Sequence, residues 1–254
     1  RYVGGEYNQV VKEWNQVTTK IALAFPDIYD IGLSNLGLTI LYEILNAQKH
    51  ILAERVYIPW KDMESLMRSE GIPLYTLETR HPVADFDILG ITLPYETLFT
   101  NTLNLLDLSG IPVFAAERTQ DHPLVIAGGH ACFNPEPMAP FIDAFLIGEG
   151  EEAILEIAET YAAWKSTGKS RRELLKTLAS IWGVYVPSLY QPVFTENGKL
   201  DSISPLDTSA PAAVTKRLVR TLPLPPVKFV VPSIDIVHNR ITIEIMREIG
   251  RAHV

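Results

Sequence analysis

Residues 20–37 read K-I-A-L-A-F-P-D-I-Y-D-I-G-L-S-N-L-G. Ile21 to Phe25 form an apolar run of strand length that stops at Pro26-Asp27. A turn rich in Gly and polar residues follows, and Leu38 to Leu45 then carry the apolar spacing of a helix. A strand that empties through glycines into a helix N-terminus is how α/β proteins build ligand sites. The first backbone N–H groups of the helix have no partner within it, and small residues let a ligand approach them.

The alternation continues outward from this stretch. Strand-like runs fall at Ile21–Phe25, Ala53–Ile58, Leu74–Leu77, Ile88–Thr92, Pro112–Ala115, Leu124–Ala127 and Ala144–Ile147. Helix-like runs fall at Leu36–Gln48, Lys61–Ser69, Tyr95–Ser109, Glu151–Ser166 and Arg171–Trp182. Strands that alternate with helices predict an α/β fold: a doubly wound, mostly parallel sheet of the flavodoxin-like or Rossmann-like kind. Residues 1–182 are expected to form this domain. Residues 183–204, with Val184–Val186, Val193–Phe194 and the turn Glu196-Asn197-Gly198, predict a small β element. Residues 205–240 hold many prolines and suit an extended linker. Ile241–Met246 then reads as the first strand of a further domain, occupying 241–247. Glu248 to Val254 (E-I-G-R-A-H-V) read as the translation of a sequencing adaptor and are set aside. The chain also opens in mid-sequence at Arg1, so a fragment that naturally continues past Arg247 is expected.

The chain has 254 residues, 47% of them hydrophobic, and a net charge of -8. That length can bury a full core, and the charge argues against a broad nucleic-acid face. Arg171-Arg172 is the nearest approach to a basic stripe and is read as a solvated helix face. The single cysteine, Cys132, excludes a disulfide framework and any Cys-based metal or iron–sulfur site within these residues. With no 18-residue apolar run, a cytoplasmic protein without a membrane span is expected.

Four loops follow strand carboxyl ends, where open parallel sheets bind ligands. They are Asp27 to Gly37, Thr92 to Glu96, Gly128 to Pro137 and Gly148 to Glu152. Gly32-x-x-x-x-Gly37 has phosphate-loop spacing, but Leu38 stands where the lysine belongs, which removes a nucleotide-hydrolysing reading. Gly148-x-Gly150 is followed by acids, which repel a pyrophosphate and suit a ligand rich in amides or hydroxyls. Glu149, Glu151 and Glu152 equally suit a helix N-terminus. His130 has no second ligand residue near it, and Cys132 reads as a buried small hydrophobe. His50 and His81 read as exposed, and Asp27 and Asp30 either cap the turn or bind ligand hydroxyls.

F-P-D-I-Y-D-I-G-L-S-N-L-G, Ala53 to Glu64 (A-E-R-V-Y-I-P-W-K-D-M-E), Ala127 to Pro137 (A-G-G-H-A-C-F-N-P-E-P) and Ile147 to Glu152 (I-G-E-G-E-E) resemble the N-terminal, cobalamin-binding-type domain of a radical SAM protein family. The resemblance covers Tyr2 to Arg247. It implies that the segment like Val237 to Arg247 leads into a CxxxCxxC motif, whose cysteines hold an iron–sulfur cluster that binds S-adenosylmethionine in a following barrel. That barrel of the same chain is the implied partner. The resemblance also implies that the strand-end loops present cobalamin or substrate through Asp30, Gly32, Ser34, Asn35, Gly37, Gly128, Gly129, His130, Gly148, Glu149 and Gly150. No Asp-x-His-x-x-Gly is present, so the histidine that replaces cobalamin's lower base in some relatives has no counterpart. A domain that keeps the fold without cobalamin, and docks or recruits a substrate, is the competing expectation. No catalytic residue and no metal ligand is assigned.

Overall fold

In a computed structural model that describes residues 1–221, 223–238, 240 and 242–244, β1 spans Thr19–Ile28 and is buried over most of its length. It runs past the expected stop. Phe25 pairs with Tyr57 and Ile28 with Ile58, so Pro26 and Asp27 are accommodated in a bulge. A bulge is where a residue without an N–H can sit inside a strand. One helical turn, α1 (Tyr29–Gly32), follows, and then α2 (Leu36–Ala47). Asn35 starts α2: its side-chain oxygen accepts from the Leu38 N–H at 2.8 Å.

The remaining elements are β2 (Ile51–Ile58), α3 (Lys61–Glu70), β3 (Ile88–Thr92), α4 (Phe99–Leu108), β4 (Leu124–Gly128), β5 (Ala144–Leu146), α5 (Ala153–Lys165), α6 (Arg171–Leu178) and β6 (Val184–Tyr185). The strands β1 to β6 form one sheet in the order β2-β1-β3-β4-β5-β6, parallel except for β6. The order 2-1-3-4-5 is flavodoxin-like, and it reverses direction at the β1/β3 boundary. Right-handed crossovers then put α2 on one face and α3 and α4 on the other. Arg68 of α3 reaches Asp107 at 2.8 Å and Asn104 at 2.7 Å on α4. The chain returns to the first face after β5, where α5 packs on α2 and β1. The expected α/β architecture is therefore present.

Two expected strands are absent. Leu74–Leu77 makes only isolated pairings, Tyr75 with Pro82 and the Leu77 N–H to the Arg55 carbonyl at 2.9 Å. Its apolar side chains are buried because this loop covers β2. Pro112–Ala115 is likewise a loop, tied by the Ala115 N–H to the Pro140 carbonyl at 2.8 Å and by Phe114 against Phe141. Val184–Tyr185 joins the main sheet beside β5, while β7 (Tyr190–Phe194) and β8 (Leu200–Pro205) form a separate antiparallel hairpin. The strand expected over Ile241–Met246 falls on 241, 245 and 246, outside the described residues, as do 248–254; Thr242–Glu244 show no strand.

Two expectations about exposure are corrected. Arg171 is turned inward rather than solvated, donating to Asp143 at 2.8 Å and to the Pro123 carbonyl at 2.8 Å. Arg118 meets the same Asp143 oxygen at 3.1 Å, so one buried carboxylate serves two arginines. His81 is half-buried, stacked on Trp14 at 3.8 Å.

Candidate functional site

At the carboxyl end of the sheet, on the α2/α5 face, lies a cleft of about 370 Å³. Its floor has a simple origin in the register. Leu23, Gly90 and Ile126 are neighbours across β1, β3 and β4, and all three line it. Gly90 contributes no side chain, so a notch opens between two large aliphatic residues. A Cβ built there would meet Leu23 Cδ2 at 3.4 Å and the Ala22 carbonyl oxygen and Ile126 Cγ1 at 3.9 Å, ordinary contacts without a clash. Glycine inside a strand weakens it and often marks a close approach by a ligand. The walls are Ile40 and Leu41 of α2 and Ile154 and Ile157 of α5, while Thr92, Glu149, Glu151 and Glu244 supply polar groups.

Six of the eleven expected site residues meet in this cleft: Gly37, Gly128, Gly129, Gly148, Glu149 and Gly150. Two of these glycines are required by the backbone itself. Gly129 has φ +117°, and a Cβ would lie 2.5 Å from the Leu93 carbonyl oxygen; Gly148 has φ +116°, with a Cβ 2.2 Å from that of Arg217. The Gly148 approach seats residues 216–219 at one rim. There Gly148 bridges to Arg217, and the Val219 N–H donates to the Glu149 carboxylate. Arg217 in turn holds Glu152 at 2.7 Å and Glu156 at 2.6 Å. These acids thus bind a neighbouring segment and do more than charge a helix end.

The other five lie elsewhere. Asp30 accepts from Arg1 at 2.9 Å and from the Trp60 indole at 3.4 Å. Asp27, which is not one of the eleven, accepts from the Ile28 N–H at 2.7 Å. Gly32 is packed under Tyr57, whose ring would stand 2.5 Å from an added Cβ. Asn35 is the α2 cap. Ser34 lines a different cavity, on the β2 side of α2. His130 is exposed, its ring tilted against Phe133 at 5.5 Å. Gly90, the residue that makes the notch, was missed in the sequence because one glycine in an apolar strand reads as an ordinary strand residue. The signal was its position in the middle of a five-residue run.

Cys132 is buried, and burial pushes its thiol up to about 12. Since the thiolate is the reactive species, the folded protein is expected to resist iodoacetamide at pH 8 and the unfolded protein to be alkylated. Mass spectrometry with and without denaturant measures this, and rapid labelling of the folded protein would contradict the burial. Among the described residues, no group of three or more His, Cys, Asp or Glu is arranged to hold a metal ion, and no helix is long and apolar enough to cross a membrane.

Comparison with known proteins gives three likenesses. A family model described as "Radical SAM proteins, N-terminal" matches residues 37–187, more than half of the chain. An uncharacterized protein of Methanocaldococcus jannaschii is 26% identical over 141 residues, which cover 54% of this chain and 26% of that protein. The match thus spans about a quarter of the relative's length. A solved structure of the radical S-adenosylmethionine methyltransferase TsrM from Kitasatospora setae, with tryptophan substrate and a SAM analog bound, is 14% identical. It covers 71% of this chain and 29% of its own, with a TM-score of 0.41.

Proposed function

Since this chain belongs to the family of radical SAM proteins, N-terminal, we propose that it is the accessory domain of a radical SAM enzyme and that the α2/α5 cleft holds cobalamin, or substrate, for it. The observation that carries this reading is the notch over Gly90. It is an apolar slot at the strand-order reversal, where α/β sheets take their ligands, and it has the size of a small-molecule pocket.

The residues fit the group. The floor and aliphatic walls suit the flat base of a corrinoid's nucleotide tail. Gly37, Gly128 and Gly150 present backbone without side chains at the rim, and the carboxylate of Glu149 and the hydroxyl of Thr92 suit the amide and hydroxyl groups of such a ligand. What cobalamin supplies when bound is radical chemistry at a cobalt–carbon bond. The role of this chain is to bind and orient it and to exclude water with Ile40, Leu41, Ile154 and Ile157. We assign the iron–sulfur cluster and S-adenosylmethionine to a barrel outside the described residues, which this domain would face in the whole protein.

Titrating the full-length protein with hydroxocobalamin tests the reading. A saturable change in the visible spectrum is expected at one equivalent. Gly90→Leu should fill the notch and weaken binding by about a hundredfold, the size of an overpacking penalty near 3 kcal/mol. Its circular dichroism should stay unchanged, because a Cβ is accommodated there. An unchanged spectrum, or wild-type affinity in Gly90→Leu, sinks the cobalamin reading of the cleft. The competing reading is a domain that docks without cobalamin. The backbone bridge between Gly148 and Arg217, which seats residues 216–219 at the cleft rim, favours it, and an unchanged spectrum is its expected result.

A further inference from the structure

The β7/β8 hairpin stands off the body of the domain, and a cavity of about 580 Å³ lies between them. The hairpin is tied down at its base. There the Leu206 N–H donates to the Leu189 carbonyl at 2.8 Å, and the Tyr190 hydroxyl donates to the Pro211 carbonyl at 2.8 Å. Its two strands pair only with each other. Side chains alternate between faces along a strand, and in this register Tyr190, Pro192 and Ile203 share the face that lines the cavity. Opposite them stand Ala116, Ala139, Pro140 and Leu175, all at least partly exposed. A two-stranded hairpin is marginal in water until such a face packs on something. Two apolar walls held apart in this way point to an occupant with an apolar body.

The charge of the lining names its head group. Among the described residues that line the cavity, three arginines (Arg118, Arg171 and Arg172) meet two carboxylates (Asp143 and Glu136). Asp143 is shared by Arg118 at 3.1 Å and Arg171 at 2.8 Å, and Glu136 accepts from the Tyr185 hydroxyl at 2.5 Å. Burial, with Arg171 beside it, holds Arg118 below its ordinary value in spite of Asp143. Arg172 follows on α6. It is exposed, and among the described residues it makes no hydrogen bond or ion pair. Lys176, one turn further on, is already paired with Asp207 at 2.8 Å. The balance is one positive charge, in a chain whose net charge is -8. A monoanion cancels that charge, a dianion exceeds it and a cation is repelled. A guanidinium takes a carboxylate through two parallel hydrogen bonds.

We infer that the hairpin cavity binds a medium-chain monocarboxylic acid, its carboxylate on Arg172 and its chain between the hairpin and the body. Asp143 and the Pro123 carbonyl that Arg171 holds precede β5 and β4, so the site lies at the opposite end of the sheet from the proposed cobalamin cleft and stands or falls without it. Calorimetric titration of the full-length protein with decanoate and octanoate, against octanol and octylamine, tests it. Saturable binding of decanoate is expected with a Kd of about 100 μM or tighter. Octanoate, two buried CH₂ groups shorter, should bind about tenfold more weakly, and octanol and octylamine weaker again by about fivefold. Arg172→Gln should weaken decanoate binding about fivefold, and Ala116→Phe, which fills the cavity, about tenfold. Lys199→Gln removes an equal charge outside the cavity and should change nothing. All three positions are exposed, so circular dichroism should match wild type. No saturable heat from either carboxylate would overturn the inference, as would octanol or octylamine binding as tightly as octanoate. Equal affinity for octanoate and decanoate, wild-type affinity in Arg172→Gln or Ala116→Phe, or an equal loss in Lys199→Gln would overturn it too.

Discussion

Replacing Arg55 with methionine is expected to cost about 3–5 kcal/mol of folding stability, the usual loss when a buried ion pair is broken from one side. Arg55 sits in β2, an edge strand whose eight residues are nonetheless all buried. Its guanidinium meets Glu78 and Glu6, its backbone N–H donates to Glu78 at 2.8 Å, and Tyr29 donates its hydroxyl to Glu6. Without the cation, two carboxylates remain in a space closed to water. Against a typical total of about 5–15 kcal/mol, that loss leaves a marginal protein.

The damage should depend on pH in a definite direction. In the variant both carboxyls must take up protons to stay buried, while in the unfolded chain they ionise near pH ~4.3. The cost therefore grows as the pH rises above that value. Wild type shows a weaker version of the same trend. Burial raises Glu78 above its ordinary value, against the pull of Arg55. The folded state thus holds that proton more tightly; this contribution is full below the unfolded pKa and is lost as pH rises through the folded one. Urea unfolding at pH 5 and pH 8 measures both. The gap between wild type and Arg55→Met should widen at pH 8, and an equal gap, or a loss under about 1 kcal/mol, would count against the network.

Gly129→Ala is expected to lose about 3 kcal/mol or more, from a conformation open almost only to glycine and a clash on top of it. The residue has φ +117° and ψ 179°. The Leu93 carbonyl that an added Cβ would strike is fixed on both sides: Leu93 N–H donates to the Gly128 carbonyl at 2.7 Å, and the Ala131 N–H donates to Leu93 at 3.0 Å. The loops after β3 and β4 cannot yield independently, so the cleft should deform with them. Gly71→Ala is the control. Gly71 ends α3 at φ +66° with nothing within 4 Å, and its loss should be only about 1–2 kcal/mol, the ordinary left-handed penalty. Equal thermal shifts in the two variants would contradict the assigned clash.

The sheet was legible because its strands are short apolar runs set between helices with clear periodicity. Leu74–Leu77 and Pro112–Ala115 misled for a physical reason: a loop that covers an edge or packs on an aromatic ring buries apolar residues just as a strand does. Of the site, the glycine-rich rim could be read, since Gly128, Gly129, Gly148 and Gly150 stand at strand ends. The notch could not, because it depends on the register that puts Gly90 between Leu23 and Ile126. The Arg55 network was equally hidden. Glu54-Arg55 inside a strand looks like an exposed charged pair, and its partners at 6 and 78 are distant in sequence. Ser34 was picked for one cavity and lines the other, because the first turn of α2 separates them.

The strand order has a consequence for how the chain is made. β2 pairs with β1, β3 joins the other side of β1, and β4, β5 and β6 each add to the strand before them. Every strand of the main sheet from β2 to β6 therefore finds its neighbour already synthesised as the chain leaves the ribosome. At roughly 5–20 residues per second, a growing sheet never has to wait for a later segment before it can extend. Residues 216–219, which sit at the cleft rim beside Gly148, arrive after that sheet is complete, so the rim of the cleft closes after its floor.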